Sequence, residues 1–111
     1  MIMILNVSIT GNLLTIEVPQ DLISSASELF LKMDADMNNG WTMGREYIDH
    51  PNLEQRCQII ADKLLTAIDN EDEQLKIMMA AYILSRVPNI MTLHIDNTGD
   101  MNESWLDLAP E

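Results

Sequence analysis

A chain of 111 residues with 47% hydrophobic side chains is sized for one domain and apolar enough to bury a core, which argues against wholesale disorder. Eighteen acids face six bases, a formal charge of −12, and every base lies between Lys32 and Arg86. Such a field repels phosphate backbones and speaks against a nucleic-acid interface; a basic protein partner, a cation or plain solubility are the readings that remain. Cys57 is the single cysteine, so no intramolecular disulfide can form. The opening MIMILNVSIT lacks a basic region and a small-residue cleavage site, so a reducing cytoplasm is the expected compartment.

Residues Met3 to Val18 predict a β-hairpin. Leu5, Val7 and Ile9 alternate with Asn6, Ser8 and Thr10, and Leu14, Ile16 and Val18 alternate with Thr15 and Glu17. Gly11-Asn12 between them suits a two-residue loop with glycine first, a type II′ turn. Pro19 ends the second strand, and Asp21 is placed to cap a first helix whose buried stripe is Leu22, Ala26, Leu29, Phe30 and Met33. A polar loop from Asp34 to Asp49 follows. Asn52 with Gln55 three residues on forms a capping-box pattern for a second helix, with Leu53, Cys57, Ile60, Ala61, Leu64 and Ile68 inward.

The third helix, Glu71 to Pro88, is the expected hub. It opens on acids, closes on Arg86 and a proline, and carries the uncharged run IMMAAYIL between them. A helix apolar nearly all round must be surrounded by protein, and this run is far short of the roughly 20 residues that span a bilayer. The tight break at Asp69-Asn70 makes the last two helices an antiparallel αα-hairpin, with Asn70 and Glu73 repeating the cap signature. Ile90 to Ile95 alternates again as a strand, and Asn97-Thr98-Gly99-Asp100 is turn chemistry. The fold class is therefore α+β: an N-terminal hairpin, three helices and a C-terminal strand completing a small three-stranded sheet with helices on one face. Residues 1–100 make the domain, and 101–111 an acidic tail with a Trp/Leu anchor.

Within the segment Asp34 to Glu46, DADMNNGWTMGRE, the chain resembles the calcium-binding loop of EF-hand proteins. The resemblance covers these residues and the incoming helix. It implies Asp34, Asp36 and Asn38 as oxygen ligands at the first, third and fifth loop positions, since Ca²⁺ is a hard cation held by closely spaced oxygens. In strict register the sixth position is Asn39 where the family has glycine, and the twelfth is Arg45 where it has glutamate. One inserted residue restores Gly40 as the turn and Glu46 as the closing carboxylate. The competing reading is an acidic loop whose Asp and Asn residues cap a helix and satisfy a turn.

Other chemistries find little footing. Cys57 falls on the apolar stripe of the second helix, where a thiol stays protonated. His50 and His94 have no Cys or second His at zinc-ligand spacing. No nucleophile elbow or glycine-rich phosphate loop is present. An enzyme built on a carboxylate pocket is the third reading, after a cation-binding module. The leading expectation is a non-catalytic accessory protein that binds another protein, with a basic partner favoured by charge and a homodimer through an open strand edge or the Met-rich helices compatible. Its expected contacts are Trp41, Met43, Arg45 and Tyr47 on an exposed connection, and Trp105 and Leu106 in the tail, residue types that concentrate at interface cores; the alternatives are Trp41 folded back onto the core as a loop anchor and the tail packed on the domain's own sheet.

Overall fold

The computed structural model describes residues 1–98 and 100–110. Ile2–Ile9 (β1) and Asn12–Pro19 (β2) form the hairpin that the alternation predicts, with Leu5 opposite Ile16 and Val7 opposite Leu14. The turn lies one residue earlier than expected. Thr10 and Gly11 form the loop, both at positive φ (49° and 86°), the type I′ geometry whose twist matches the strands. Either loop keeps the same side chains inward. The observed register adds pairing of Met3 with Val18 and Ile2 with Pro19, and lets the Gln20 N–H donate to the Met1 carbonyl at 3.0 Å.

The single helix expected after Pro19 is divided. Gln20–Ser25 (α1) and Ser27–Asn38 (α2) meet at Ala26, whose φ of −96° and ψ of 9° depart from helical values. Helix α1 begins at Gln20 without a side-chain cap, so Asp21 sits inside its first turn rather than at its N-cap. Helix α2 runs on through Asp34 and Asp36, residues expected in a loop. No breaker precedes Gly40, whose φ of +102° is the first position that demands glycine. The rest of the expected loop is a small hairpin, Trp41–Met43 (β3) and Glu46–Ile48 (β4).

Leu53–Asp69 (α3) starts with the full capping box: Asn52 N–H donates to Gln55 Oε1 at 2.9 Å, and Gln55 N–H donates to Asn52 Oδ1 at 2.8 Å. The hub helix, Glu73–Arg86 (α4), is capped by Asp72, which accepts from Leu75 N–H at 3.1 Å. Asn70, the expected cap, instead closes α3, and Glu71 at φ 56° reverses the chain between the two helices. Met79, Ala80, Ala81, Tyr82, Ile83 and Leu84 are all buried. Helices α1 and α3 and strands β1 and β2 pack around α4, and Phe30 of α2 meets the Tyr82 ring edge-on, 5.8 Å between centroids.

Ile90–Ile95 (β5) joins the sheet in parallel with β1, Asn6 beside Thr92 and Ser8 beside His94. The sheet has four strands rather than three. Trp105–Leu108 (β6), expected as part of a tail, lies antiparallel on β5 in the order β2-β1-β5-β6. Without it, β5 would offer an unpaired row of backbone groups. A 3₁₀ turn, Met101–Glu103, leads into β6 and is capped by the Asp100 carboxylate. Gly99 of the expected turn and Glu111 of the expected tail lie outside the described residues. The α+β arrangement with helices on one face of the sheet holds: α1 and α4 cover β2, α4 covers β1, and α3 covers β5 and β6. Among the described residues, no helix is long and apolar enough to cross a membrane.

The left-handed Thr10 gives the fold a local test. A β-branched residue is strained at that φ, whereas Asn-Gly is the favoured type I′ pair. Thr10→Asn should stabilise the protein by about 0.5–1 kcal/mol, read as a raised thermal midpoint. A lowered midpoint would place the turn elsewhere.

Candidate functional sites

Of the residues expected to ligate calcium, Asp34, Asp36 and Asn38 lie on α2 and Glu46 on β4. Asp34 projects from α2 to α3 and α4. Tyr82 O–H donates to its Oδ1 at 2.5 Å, Arg86 donates to its Oδ2 through Nη2 at 2.6 Å and Nε at 3.1 Å, and Arg56 Nη1 lies 3.3 Å from Oδ1. Arg56 also donates to Asn38 Oδ1 and, at 2.9 Å, to the Pro51 carbonyl. Burial opposes charge on Asp34, but the hydrogen bonds from Tyr82, Arg86 and Arg56 and the Arg86 charge outweigh it and hold the carboxyl below its ordinary value of 3.8. Burial, together with donation to Asp34, pushes the Tyr82 phenol upward.

Asp36 lies two residues from Asp34 on the same helix, hence on another face, and is exposed. Glu46 is exposed on β4. Among the described residues no three His, Cys, Asp or Glu side chains converge as a metal-binding group. Cys57 is fully buried, and burial, with the Asp34 and Glu54 charges adding to it, pushes its thiol up to about 11. At neutral pH it is a protonated, packed thiol beside the Asp34 clamp.

The Trp41 connection is more anchored than its composition suggests. Met43 is fully buried, and Trp41 is half-buried against the core with Lys63 Nζ 5.0 Å from its ring centroid. Tyr47 remains exposed, yet its hydroxyl donates to the Asn39 carbonyl at 2.9 Å and its ring lies over Gly40, where a Cβ would meet the hydroxyl at 1.8 Å. Arg45 occupies the hairpin tip and is exposed. In the former tail, Leu106 is partly buried against the core and pairs across to Leu93. Trp105 points the other way, 51% exposed.

That direction is the outer face of the sheet. Strand alternation places Ile2, Ile4, Asn6 and Ser8 of β1 there, with Leu13, Thr15 and Glu17 of β2, Thr92 and His94 of β5, and Trp105 and Asp107 of β6. One row, Leu13, Ser8, His94 and Trp105, crosses all four strands, and its last two rings stack at 3.9 Å and 5°. Ile2, Ile4, Leu13 and Trp105 are each more than half exposed, while the next row, Thr15, Asn6, Thr92 and Asp107, is polar. Glu17 and Asp107 lie on this face, with Asp96 and Glu103 at its margin. None of the six Lys and Arg side chains belongs to the four-stranded sheet. The apolar members Ile2, Ile4 and Leu13 were not among the expected contacts, although each shares its strand parity with polar residues such as Asn6 and Thr15.

Comparison with family models, curated proteins and solved structures finds no match to the chain.

Two substitutions check these assignments. Asp34→Asn should cost about 1–3 kcal/mol, because it leaves two partly buried guanidiniums without their carboxylate. The lowered carboxyl contributes fully above pH 3.8 and loses that contribution as pH falls through its folded value. Stability of the parent protein should therefore fall more steeply than that of the variant on acidification below about pH 4; parallel acid limbs would contradict the clamp. Gly40→Ala should destabilise the protein by about 1–3 kcal/mol, read as a lowered thermal midpoint, because alanine is strained at a φ of +102°, and a neutral result would contradict the left-handed backbone there.

Proposed function

We propose that the protein acts without catalysis, by docking a basic, partly apolar protein segment on the outer face of its sheet. The observation that carries this reading is the combination on one face: apolar Ile2, Ile4, Leu13 and Trp105 left more than half exposed, acids within and around them, and no Lys or Arg side chain on any of the four strands. These side chains form two apolar footholds on one face, Ile2 and Ile4 on one side of the polar row Thr15, Asn6, Thr92 and Asp107 and Leu13 and Trp105 on the other, so the segment that docks is apolar at intervals and polar between them. The helices are committed to the opposite face, so the fold itself has nothing left to cover the footholds.

Charge selects the partner. Acids at the margin attract a basic segment over roughly a Debye length, about 8–10 Å at moderate salt, and repel acidic competitors. The apolar residues then supply the short-range contact, with Trp105 the largest. The Trp41 hairpin enters this reading as a structural anchor rather than as the contact surface, because Met43 is core and Trp41 and Tyr47 are held by Lys63, Gly40 and Asn39.

Immobilised amphipathic peptides test it: one with alternating Arg and Leu, and one with Glu in place of Arg. The basic peptide should retain the protein at low salt and release it as salt rises, and the acidic one should not retain it. The double variant I4S/L13S, which changes only exposed positions, should bind the basic peptide about tenfold or more weakly. Equal retention of the double variant, or none of the parent protein, would contradict the proposal.

A further inference from the structure

The row that crosses the sheet ends in a cavity of about 210 Å³ at the turn side of β1 and β5, lined by Ser8, Thr10, His94, Asp96, Glu103 and Trp105 among others. Resting on the docking reading above, we infer that this cavity is a seat for one arginine side chain of the partner. Three independent features converge on a guanidinium.

Ser8 is the first. It lines the cavity, and its hydroxyl, which makes no hydrogen bond with any of the described residues, is open to solvent rather than buried. A reachable hydroxyl oxygen can accept from an N–H brought in from outside.

The second is the aromatic wall. His94 and Trp105 stack nearly parallel and both line the cavity, and Trp105, covered by His94 on one face, remains 51% exposed and leaves indole surface open to a ligand. A planar, weakly hydrated guanidinium stacks on such a surface, whereas a compact ammonium keeps its water.

Charge is the third. Asp96 and Glu103 both line the cavity, and no Lys or Arg does. Thr98 O–H donates to Asp96 Oδ2, which leaves Asp96 Oδ1 without a hydrogen bond among the described residues. Two carboxylates can take a charge-assisted hydrogen bond each from the guanidinium fork, while the Ser8 oxygen takes another. A bare metal cation is disfavoured by the ligand count, since no three acidic, His or Cys side chains among the described residues converge.

The probes are N-acetyl-arginine amide and N-acetyl-lysine amide, titrated into the full chain and followed residue by residue by NMR. The arginine derivative should give saturable shifts centred on Ser8, His94, Asp96 and the Trp105 indole N–H, and the lysine derivative should bind at least about threefold more weakly. Glu103→Gln, at an exposed position, should weaken the arginine derivative about threefold to tenfold. Ser8→Ala should weaken it too, with thermal midpoints confirming that both variants fold. Shifts that do not cluster there, equal response to the two derivatives, or full affinity in E103Q would overturn the seat.

The two proposals fail separately. Retention on the basic peptide without a localised response to the arginine derivative overturns the seat and leaves docking standing. The I4S/L13S variant should keep the response to the arginine derivative while losing the peptide.

Discussion

The molecule is organised by the need to enclose the second half of α4. Met79 through Leu84 present apolar or small side chains around the whole circumference of the helix, and all six are buried. Burial of each large member contributes about 1.5–3 kcal/mol relative to exposure, so leaving any flank open would be costly against a net stability of about 5–15 kcal/mol. The chain meets that demand by laying the inner face of β1 and β2 on one side of α4 and the other helices on the rest. Every helix is then on one side of the sheet. The bare outer face follows from that commitment, and with it the surface proposed for docking.

Asp34 fixes the geometry of the helical layer. Its carboxylate takes Tyr82 and Arg86 from α4 and Arg56 from α3, so one side chain of α2 sets the spacing of three helices. A network of this kind contributes specificity as much as stability, since its partners satisfy one another only in one arrangement. Asp34, with Asp36 and Asn38 beyond it on α2, is among the residues that the EF-hand resemblance implies as ligands. The acids are spaced as a calcium loop would have them, but without a breaker before Gly40 the helix continues through them, and Asp34 and Asn38 are turned onto arginines instead.

Much of the fold was legible because local signals agreed with the tertiary demand. The alternation of β1, β2 and β5, the capping box of α3 and the enclosed helix α4 all follow from periodicity and cap chemistry. The missed features are those decided by non-local contacts. Strand β6 is four residues in an acidic stretch and becomes a strand only because β5 has an open edge. The break at Ala26 has no Gly or Pro to announce it. Trp41 and Met43 look like an exposed recognition loop, yet Met43 is buried in the core and Trp41 lies among Met33 and Met37 of α2 and Ile60 and Lys63 of α3. For the outer face a signal did exist. Ile2 and Ile4 share parity with Asn6 and Ser8, and Leu13 shares it with Thr15 and Glu17, so counting both faces of each strand exposes apolar residues on the polar side. The cavity beside Ser8 required the parallel pairing of β1 with β5, which sequence spacing does not reveal.

One measurement reaches the centre of this account: methyl NMR of the isolated protein with a soluble paramagnetic agent, comparing the two faces of the sheet. Broadening of the Ile2, Ile4 and Leu13 methyls, with Leu5, Val7, Ile83 and Leu84 unaffected, is the expected result for an enclosed α4 and an open outer face. Protected Ile2, Ile4 and Leu13 methyls would mean that the face is already covered, by the chain or by a second copy, and would contradict it; broadened Ile83 and Leu84 would undo the fold from which it was derived.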